Sequence, residues 1–258
     1  MTKNLIKNLT SKPKNTKIDP KRLVRQISKA YVYDKNKTEK RQKFTFSPST
    51  VGYGHGTCPR YWNLVFSGAE FEETFTAQGL AAMQNGTDAH SRLQNILVNN
   101  NLVKEIEREV KCTDPPIRGF ADLIFEVDGE EVVGEIKTIK DEYYHVRKNN
   151  STPSDSHLVQ LLIYMKIMNI NEGIFLYENK NDHDLVGISV EMSKENEEYI
   201  NYIFNWMREV YAAWKENKNI KRPFTKSSTT CKYCPIAEDC WSRSDGRTQI
   251  EQLKVKKL

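Results

Sequence analysis

No run of 18 apolar residues occurs in the 258-residue chain, so a membrane-spanning helix is excluded. The start of the chain is polar and lysine-rich and lacks the apolar segment of a secretory signal, so a cytosolic protein is expected. Cysteine is scarce, with five in all, and in the cytosol these are not expected to form structural disulfides. No internal repeat is visible. What remains, 28% charged and 38% hydrophobic residues, suits one globular domain with a sizeable core and appendages.

Charge is unevenly spread. Residues 1–43 carry 14 Lys or Arg against Asp19, Asp34 and Glu39, a net of +11, which leaves −6 for the rest of a chain whose total is +5. A basic arm on a mildly acidic body fits phosphate contact with nucleic acid, against the plainer reading of a solvated tail. The division expected is a basic arm over 1–43, a body over 44–241 and a basic tail over 242–258.

The chain is organised around residues 118–140, RGFADLIFEVDGEEVVGEIKTIK. Two runs rich in Val, Ile and Phe flank Asp128-Gly129, a strong hairpin signal because a type I′ turn needs φ > 0 at both positions. That loop sets Val127 opposite Glu130, Ile124 opposite Val133, Asp122 opposite Glu135 and Phe120 opposite Lys137. Like charges directly opposite destabilise a sheet, here by roughly 3 kcal/mol at an effective dielectric near 20. A divalent cation between the carboxylates would turn repulsion into coordination, and their oxygens suit Mg²⁺ or Mn²⁺. The alternative is a solvated face with scattered charges.

Leu23, Ile27 and Tyr31 fit one helical stripe. Residues 44–53 read as extended or loop, and a short aromatic helix follows over 60–66. Residues 77–83 read as helix, Asn85-Gly86 as its break, and Thr87 as the N-cap of a second helix to about Val98. His90 lies on that helix beside Leu93 and Leu97; a lone His there is more often a hydrogen-bonded core residue than a ligand. Residues 105–112 read as a strand, and 141–155 as a polar loop or short helix. The next helix, to about Met168, is apolar on nearly every side and therefore buried, with Gln160 and Tyr164 as polar i, i+4 neighbours. Two further strands, 174–178 and 185–192, precede an amphipathic helix over 195–215.

Cys231, Cys234 and Cys240 have the spacing C-x₂-C-x₅-C, which argues for a metal or cluster. Three thiolates leave a tetrahedral site one ligand short. Cys58, in a Gly- and Pro-rich loop that can wrap an inorganic site, is preferred as the fourth over Cys112, which ends a strand. Spacing alone leaves zinc and a [4Fe–4S] cluster both open.

Four pieces, Gly86-x₃-His90, Gly119-x₂-Asp122, Glu135-Ile136-Lys137 and Gln160-x₃-Tyr164, occur in an order that resembles the PD-(D/E)xK nuclease superfamily. Each is weak alone; together with Cys58 upstream and three cysteines in the tail they resemble its RecB-like iron–sulfur branch, which includes CRISPR-associated RecB-like exonucleases, exonuclease V and phage exonucleases. The resemblance spans roughly 46–241, and the basic arm has no counterpart in it. It implies an α/β fold with a mixed central sheet flanked by helices, and a cysteine-bound cluster joining N- and C-terminal segments. It implies metal ligation by His90, Asp122, Glu135 and the carbonyl of Ile136, and a water- and phosphate-orienting role for Lys137. Gln160 and Tyr164 would position Lys137 or the DNA backbone. Cys58, Cys231, Cys234 and Cys240 would hold [4Fe–4S], with zinc the alternative. The activity implied is Mg²⁺- or Mn²⁺-dependent hydrolysis of single-stranded DNA or DNA ends, in recombination, repair or phage DNA metabolism. The setting implied is a bacterial or phage-infected cytoplasm; a recombination or replication partner protein and an oligomer are left open. The rival reading is a non-catalytic nucleic-acid-binding subunit with a nuclease-like fold.

Overall fold

The computed structural model of the protein describes residues 17–33 and 35–255. In chain order its helices are α1 (Pro20–Val32), α2 (Pro48–Val51), α3 (Pro59–Phe66), α4 (Ala77–Asn99), α5 (Asp141–Asn150), α6 (Asp155–Met168), α7 (Lys194–Lys215), α8 (Thr229–Lys232) and α9 (Ala237–Ser242). Its strands are β1 (Lys37–Arg41), β2 (Ala69–Glu73), β3 (Glu105–Thr113), β4 (Pro116–Val127), β5 (Glu130–Ile139), β6 (Glu172–Asn179) and β7 (Leu185–Glu191).

Five strands form a mixed sheet in the order β3-β4-β5-β6-β7. Only β5 and β6 run parallel, and α5 and α6 make the long crossover such a pair requires. Asp128 and Gly129 have φ of 52° and 86°, the left-handed pair of a type I′ turn. Val127 pairs with Glu130 and Ile124 with Val133, the register read from the sequence. The ladder then stops at Leu123 and Gly134, so the expected facing pairs Asp122–Glu135 and Phe120–Lys137 are not made. Each strand has a second neighbour: β5 follows β6 as far as Ile139, while β4 follows β3 down to Pro116. Sheet twist separates two strands held from opposite sides in this way.

Helix α6 is buried from Leu158 to Met165 because it has the sheet on one side and the apolar stripe of α7 on the other. Each such Leu or Ile contributes about 1.5–3 kcal/mol. The helix is thereby fixed firmly enough to hold Gln160 and Tyr164 inside, 6% and 2% exposed. On the opposite sheet face α4 lays Leu93 on Leu123 and Ile136. Phe46, Trp62 and Phe66 cluster with Tyr211 and Trp214, binding the N-terminal segment to α7.

Two expectations are corrected and one element is new. Helix α4 runs unbroken through Asn85-Gly86; its N-cap is Thr76, which accepts from Gly79 N, and the Thr87 hydroxyl bonds back to Met83 O instead of capping. An interior glycine costs a helix only about 1 kcal/mol, less than the packing of Leu93 returns. Residues 48–51 are a helical turn rather than extended chain. The pair β1–β2 had no apolar alternation to signal it; Lys37 faces Glu73 and Lys40 faces Glu70, so opposite charges do the pairing.

That pairing joins the end of the basic arm to the body. Helix α1 forms as the stripe implies, with Asp19 accepting from Lys21 N and Arg22 N, but none of its residues is buried. The tail also docks: Ile250 and Leu253 are buried, and Leu253 N donates to Thr57 O. The start of the arm, residues 1–16, and the last three residues of the tail lie outside the described residues. No helix among the described residues is long and apolar enough to cross a membrane.

Candidate active site and cysteine site

Asp122 sits where the β3–β4 ladder skips a residue and the β4–β5 ladder has ended. The β3–β4 pairing passes from Ile106–Leu123 to Arg108–Ala121, and the residue between, Glu107, has φ of 52°. Positive φ is uncommon for a non-glycine residue and concentrates at functional sites. Freed from the sheet, the Asp122 carbonyl accepts from Gln94 Nε2 at 3.2 Å, and the same amide donates to Glu107 Oε1 at 2.7 Å. The Asp122 carboxylate accepts from the Ile136 amide at 2.8 Å, with His90 Nδ1 3.5 Å away. The expected repulsion between facing carboxylates is thus relieved by strand divergence and a backbone donor.

Glu135 is 1% exposed. Its Oε1 accepts from Lys137 Nζ at 2.7 Å and from Gln160 Nε2 at 2.6 Å, while Gln160 Oε1 accepts from Lys137 at 3.0 Å. The three side chains form a closed ring. Glu135 Oε2 is buried with no hydrogen-bond partner. Burial pushes the Glu135 carboxyl well above the usual carboxylate range; Lys137 works against that shift and Asp122 adds to it. The bond to Asp122 raises the His90 imidazole, against the effect of its own burial. The Tyr164 hydroxyl stands 3.5 Å from Gln160 Nε2, and a Cβ at Gly119 would lie 2.8 Å from that hydroxyl, so the bare glycine makes the approach of β4 to α6 feasible.

The six residues singled out in sequence, His90, Asp122, Glu135, Lys137, Gln160 and Tyr164, therefore meet in one place. Gln94 and Glu107 went unread. Gln94 is one helical turn beyond His90, a spacing that could have flagged it; the backbone of Glu107 left no trace in the sequence.

A second group is formed by cysteines. Cys58 is the N-cap residue of α3, and Cys231 and Cys240 lie on α8 and α9. These three line one small pocket with Arg60, Arg222 and Trp241, and Cys234 is close enough to interact electrostatically with Cys58, Cys231 and Cys240. Burial pushes the Cys58 and Cys234 thiols up to about 12, partly offset at Cys58 by the amides of Tyr61 and Arg60. Cys112 stands apart, its Sγ 3.3 Å from Asp114 O. All five thiols are free of disulfides. Among the described residues no group of three or more His, Cys, Asp or Glu side chains is arranged to hold a metal ion.

A mixed sheet sets the Asp122, Glu135 and Lys137 side chains together where two strands part. The chain belongs to the PD-(D/E)XK nuclease superfamily, which it matches over residues 11–241. Among solved structures it is similar to SSO0001, at 18% identity over 84% of this chain and 95% of that one, with a TM-score of 0.44. It is similar also to LHK-Exo in complex with dAMP, at 16% identity over 57% and 74% of the two chains, with a TM-score of 0.45. A phage-related exonuclease from Haemophilus somnus 129PT has 10% identity over 50% and 73%, with a TM-score of 0.33. Among curated proteins none matches.

Proposed function

We propose that the chain is a metal-dependent deoxyribonuclease, an exonuclease of the RecB-like iron–sulfur branch that hydrolyses phosphodiester bonds in single-stranded DNA or at DNA ends. The observation that carries this reading is the buried, unpartnered Glu135 Oε2 beside Asp122. An unsatisfied buried acceptor costs about 1–3 kcal/mol, more when charged. A hard divalent cation relieves that cost and fits an all-oxygen donor pair. His90, Asp122, Glu135 and the Ile136 carbonyl are the residues assigned to hold it. When bound, Mg²⁺ or Mn²⁺ polarises a phosphoryl oxygen and lowers the pKa of a water.

The chain's own groups do the rest. Lys137, its side chain 19% exposed, is aimed by Glu135 and Gln160 and offers positive charge to the oxygens where negative charge develops. Gln160 donates to Glu135 while accepting from Lys137, so it fixes both side chains together. Tyr164 and Gly119 set how closely β4 and α6 approach. Lys21, Arg22, Arg25 and Lys29 on α1 supply phosphate contacts that carry no sequence information. A role in recombination, repair or phage DNA metabolism follows the resemblance of the motifs.

Cys58, Cys231, Cys234 and Cys240 are assigned to a structural [4Fe–4S] cluster, with zinc the alternative. Three thiols lining one pocket with Cys234 beside them fit such a group, whose binding replaces their protons. It would fasten the chain before α3 to the segment carrying α8 and α9.

The test is incubation of end-labelled single- and double-stranded DNA with the protein, with and without Mg²⁺ or Mn²⁺. Release of 5′-phosphorylated products from single strands or ends, only when the ion is present, is expected. Cleavage that persists in EDTA would overturn the metal assignment. Binding without cleavage under every ion would establish the rival, non-catalytic subunit.

A further inference from the structure

Arg60 is 2% exposed, one of the largest fully buried side chains of the protein. Its guanidinium has no buried carboxylate partner. Nη1 donates to Ile220 O at 2.5 Å, Nη2 to Ser244 O at 2.8 Å and Nε to Cys240 Sγ at 3.3 Å. The nearest carboxylate, Asp245, is 3.9 Å away and its side chain is 42% exposed. Asp245 is also shared: Arg222 Nη1 lies 3.6 Å from it. The Arg222 guanidinium stacks on Trp241 at 4.5 Å and donates to Cys240 O at 2.6 Å, but its Nε is buried without a partner. Two guanidinium groups thus flank the cysteine pocket and divide one half-exposed carboxylate between them.

Burying a cation without a counter-charge costs several kcal/mol even after relaxation. Neutral carbonyls satisfy the donors of Arg60 but not its charge. A tetrathiolate centre supplies what is missing: four thiolates around Zn²⁺, or around a [4Fe–4S]²⁺ core, carry a net charge of about −2. We propose that Arg60 and Arg222 are the counter-ions of this centre, with Arg60 acting as a positioning residue that bonds the Cys240 sulfur directly and holds the centre by charge. The inference rests on the reading that the four cysteines bind metal. It adds a selectivity: a site flanked by one buried and one partly buried cation retains an anionic metal–thiolate centre and disfavours less negative ligand sets, such as one with a histidine in place of a cysteine.

The experiment uses the full chain purified anaerobically, with iron and zinc measured by elemental analysis. Metal release into a chelator and urea unfolding are followed for wild type and Arg60→Gln, each loaded and metal-stripped. Arg60→Gln is expected to weaken metal retention about 10- to 100-fold, the usual effect of losing a partner of a metal ligand. It should also lower the stability of the loaded protein more than that of the stripped protein. A role confined to bonding Ile220 and Ser244 would lower both equally, and that result would overturn the inference. Should Arg60→Gln not fold, Arg222→Gln takes its place, with a loss of retention of about threefold or more expected and the stripped protein unchanged. Asp245→Asn is the control. It should keep its metal nearly as well as wild type, and loss as complete as in Arg60→Gln would make Asp245 the true counter-ion. A wild type without iron or zinc would sink the tetrathiolate reading and the inference together, whereas a metal-bearing wild type matched by Arg60→Gln in retention would sink the inference alone.

Discussion

The carboxylate cluster and the cysteine pocket present opposite electrostatic deficits. At the strand divergence a buried carboxylate, Glu135, has one oxygen that no donor reaches. At the cysteine pocket a buried guanidinium, Arg60, has no buried carboxylate to balance it. Each is an arrangement that folding alone does not favour, since a buried acceptor without a donor and a buried cation without a buried counter-charge both lower stability. The two differ in access. Lys137 is partly exposed beside Glu135, as a site for a large substrate requires, whereas the cysteines are held between helices and tail with Arg60 fully covered. On the function proposed above, sign and access together would separate a working cation site from a structural anionic one.

The sharpest way to break the comparison is to remove the carboxylates. Asp122→Ala and Glu135→Ala should each lower cleavage of labelled single-stranded DNA at least about a thousandfold, since several kcal/mol of transition-state charge stabilisation go with the ion. Far-ultraviolet circular dichroism should be unchanged, and without added metal Glu135→Ala should unfold at the same or higher urea concentration than wild type. Full activity in Glu135→Ala would remove Glu135 from the site.

At the cysteine pocket, Cys58→Ala should lose the proposed metal and unfold at markedly lower temperature, as should Cys234→Ala. Removing a structural ligand forfeits folding energy outright. Cys112→Ala should keep full metal content by elemental analysis. Metal retained in Cys58→Ala and lost in Cys112→Ala would reverse the ligand choice.

A smaller effect probes how Asp122 is held. Gln94→Leu strands the Asp122 carbonyl and Glu107 Oε1, so stability should fall by about 1–3 kcal/mol in urea unfolding. Cleavage should also slow at saturating Mn²⁺, through misplacement of the carboxylate. Stability lost with kcat unchanged would make Gln94 a packing residue only.

The smallest expected effect is a control: a buried titratable group that needs no counter-charge because it stays neutral. His157, bonded through Nδ1 to Tyr177 Oη at 3.0 Å, is pushed down to about 3, chiefly by burial. Its folded value lies below that of the unfolded chain, near 6.5. Between these values only the unfolded state gains the proton, so stability present at neutral pH is lost as pH falls. From pH 7.5 to pH 5 this one group should cost about 2 kcal/mol. His157→Asn, which retains a polar partner for Tyr177, should show that much less acid destabilisation by thermal unfolding. Equal slopes in the two proteins would mean that His157 titrates normally.

The sequence by itself determined the elements with a strong local signal. The Asp-Gly loop set the hairpin register because only φ > 0 residues close a two-residue turn, and α6 was read as buried because it has no polar face. The site residues and the cysteine set were legible as motifs for the same reason: chemistry-bearing side chains at fixed spacing on predictable elements. Local pattern misled where packing outweighed it, as when α4 ran on through Asn85-Gly86 to lay Leu93 against Leu123 and Ile136. Only tertiary structure decided that β4 and β5 part after Leu123, because β3 holds β4 and β6 holds β5 from their outer edges beyond that point. That parting turned two facing carboxylates into one held by a backbone amide and one left with an open oxygen. Likewise the missing partner of Arg60 has no sequence signature. Whether a charge is balanced depends on which groups surround it in space, and those around Arg60 come from Ile220, Cys240 and Ser244, some 160 to 184 residues further along the chain.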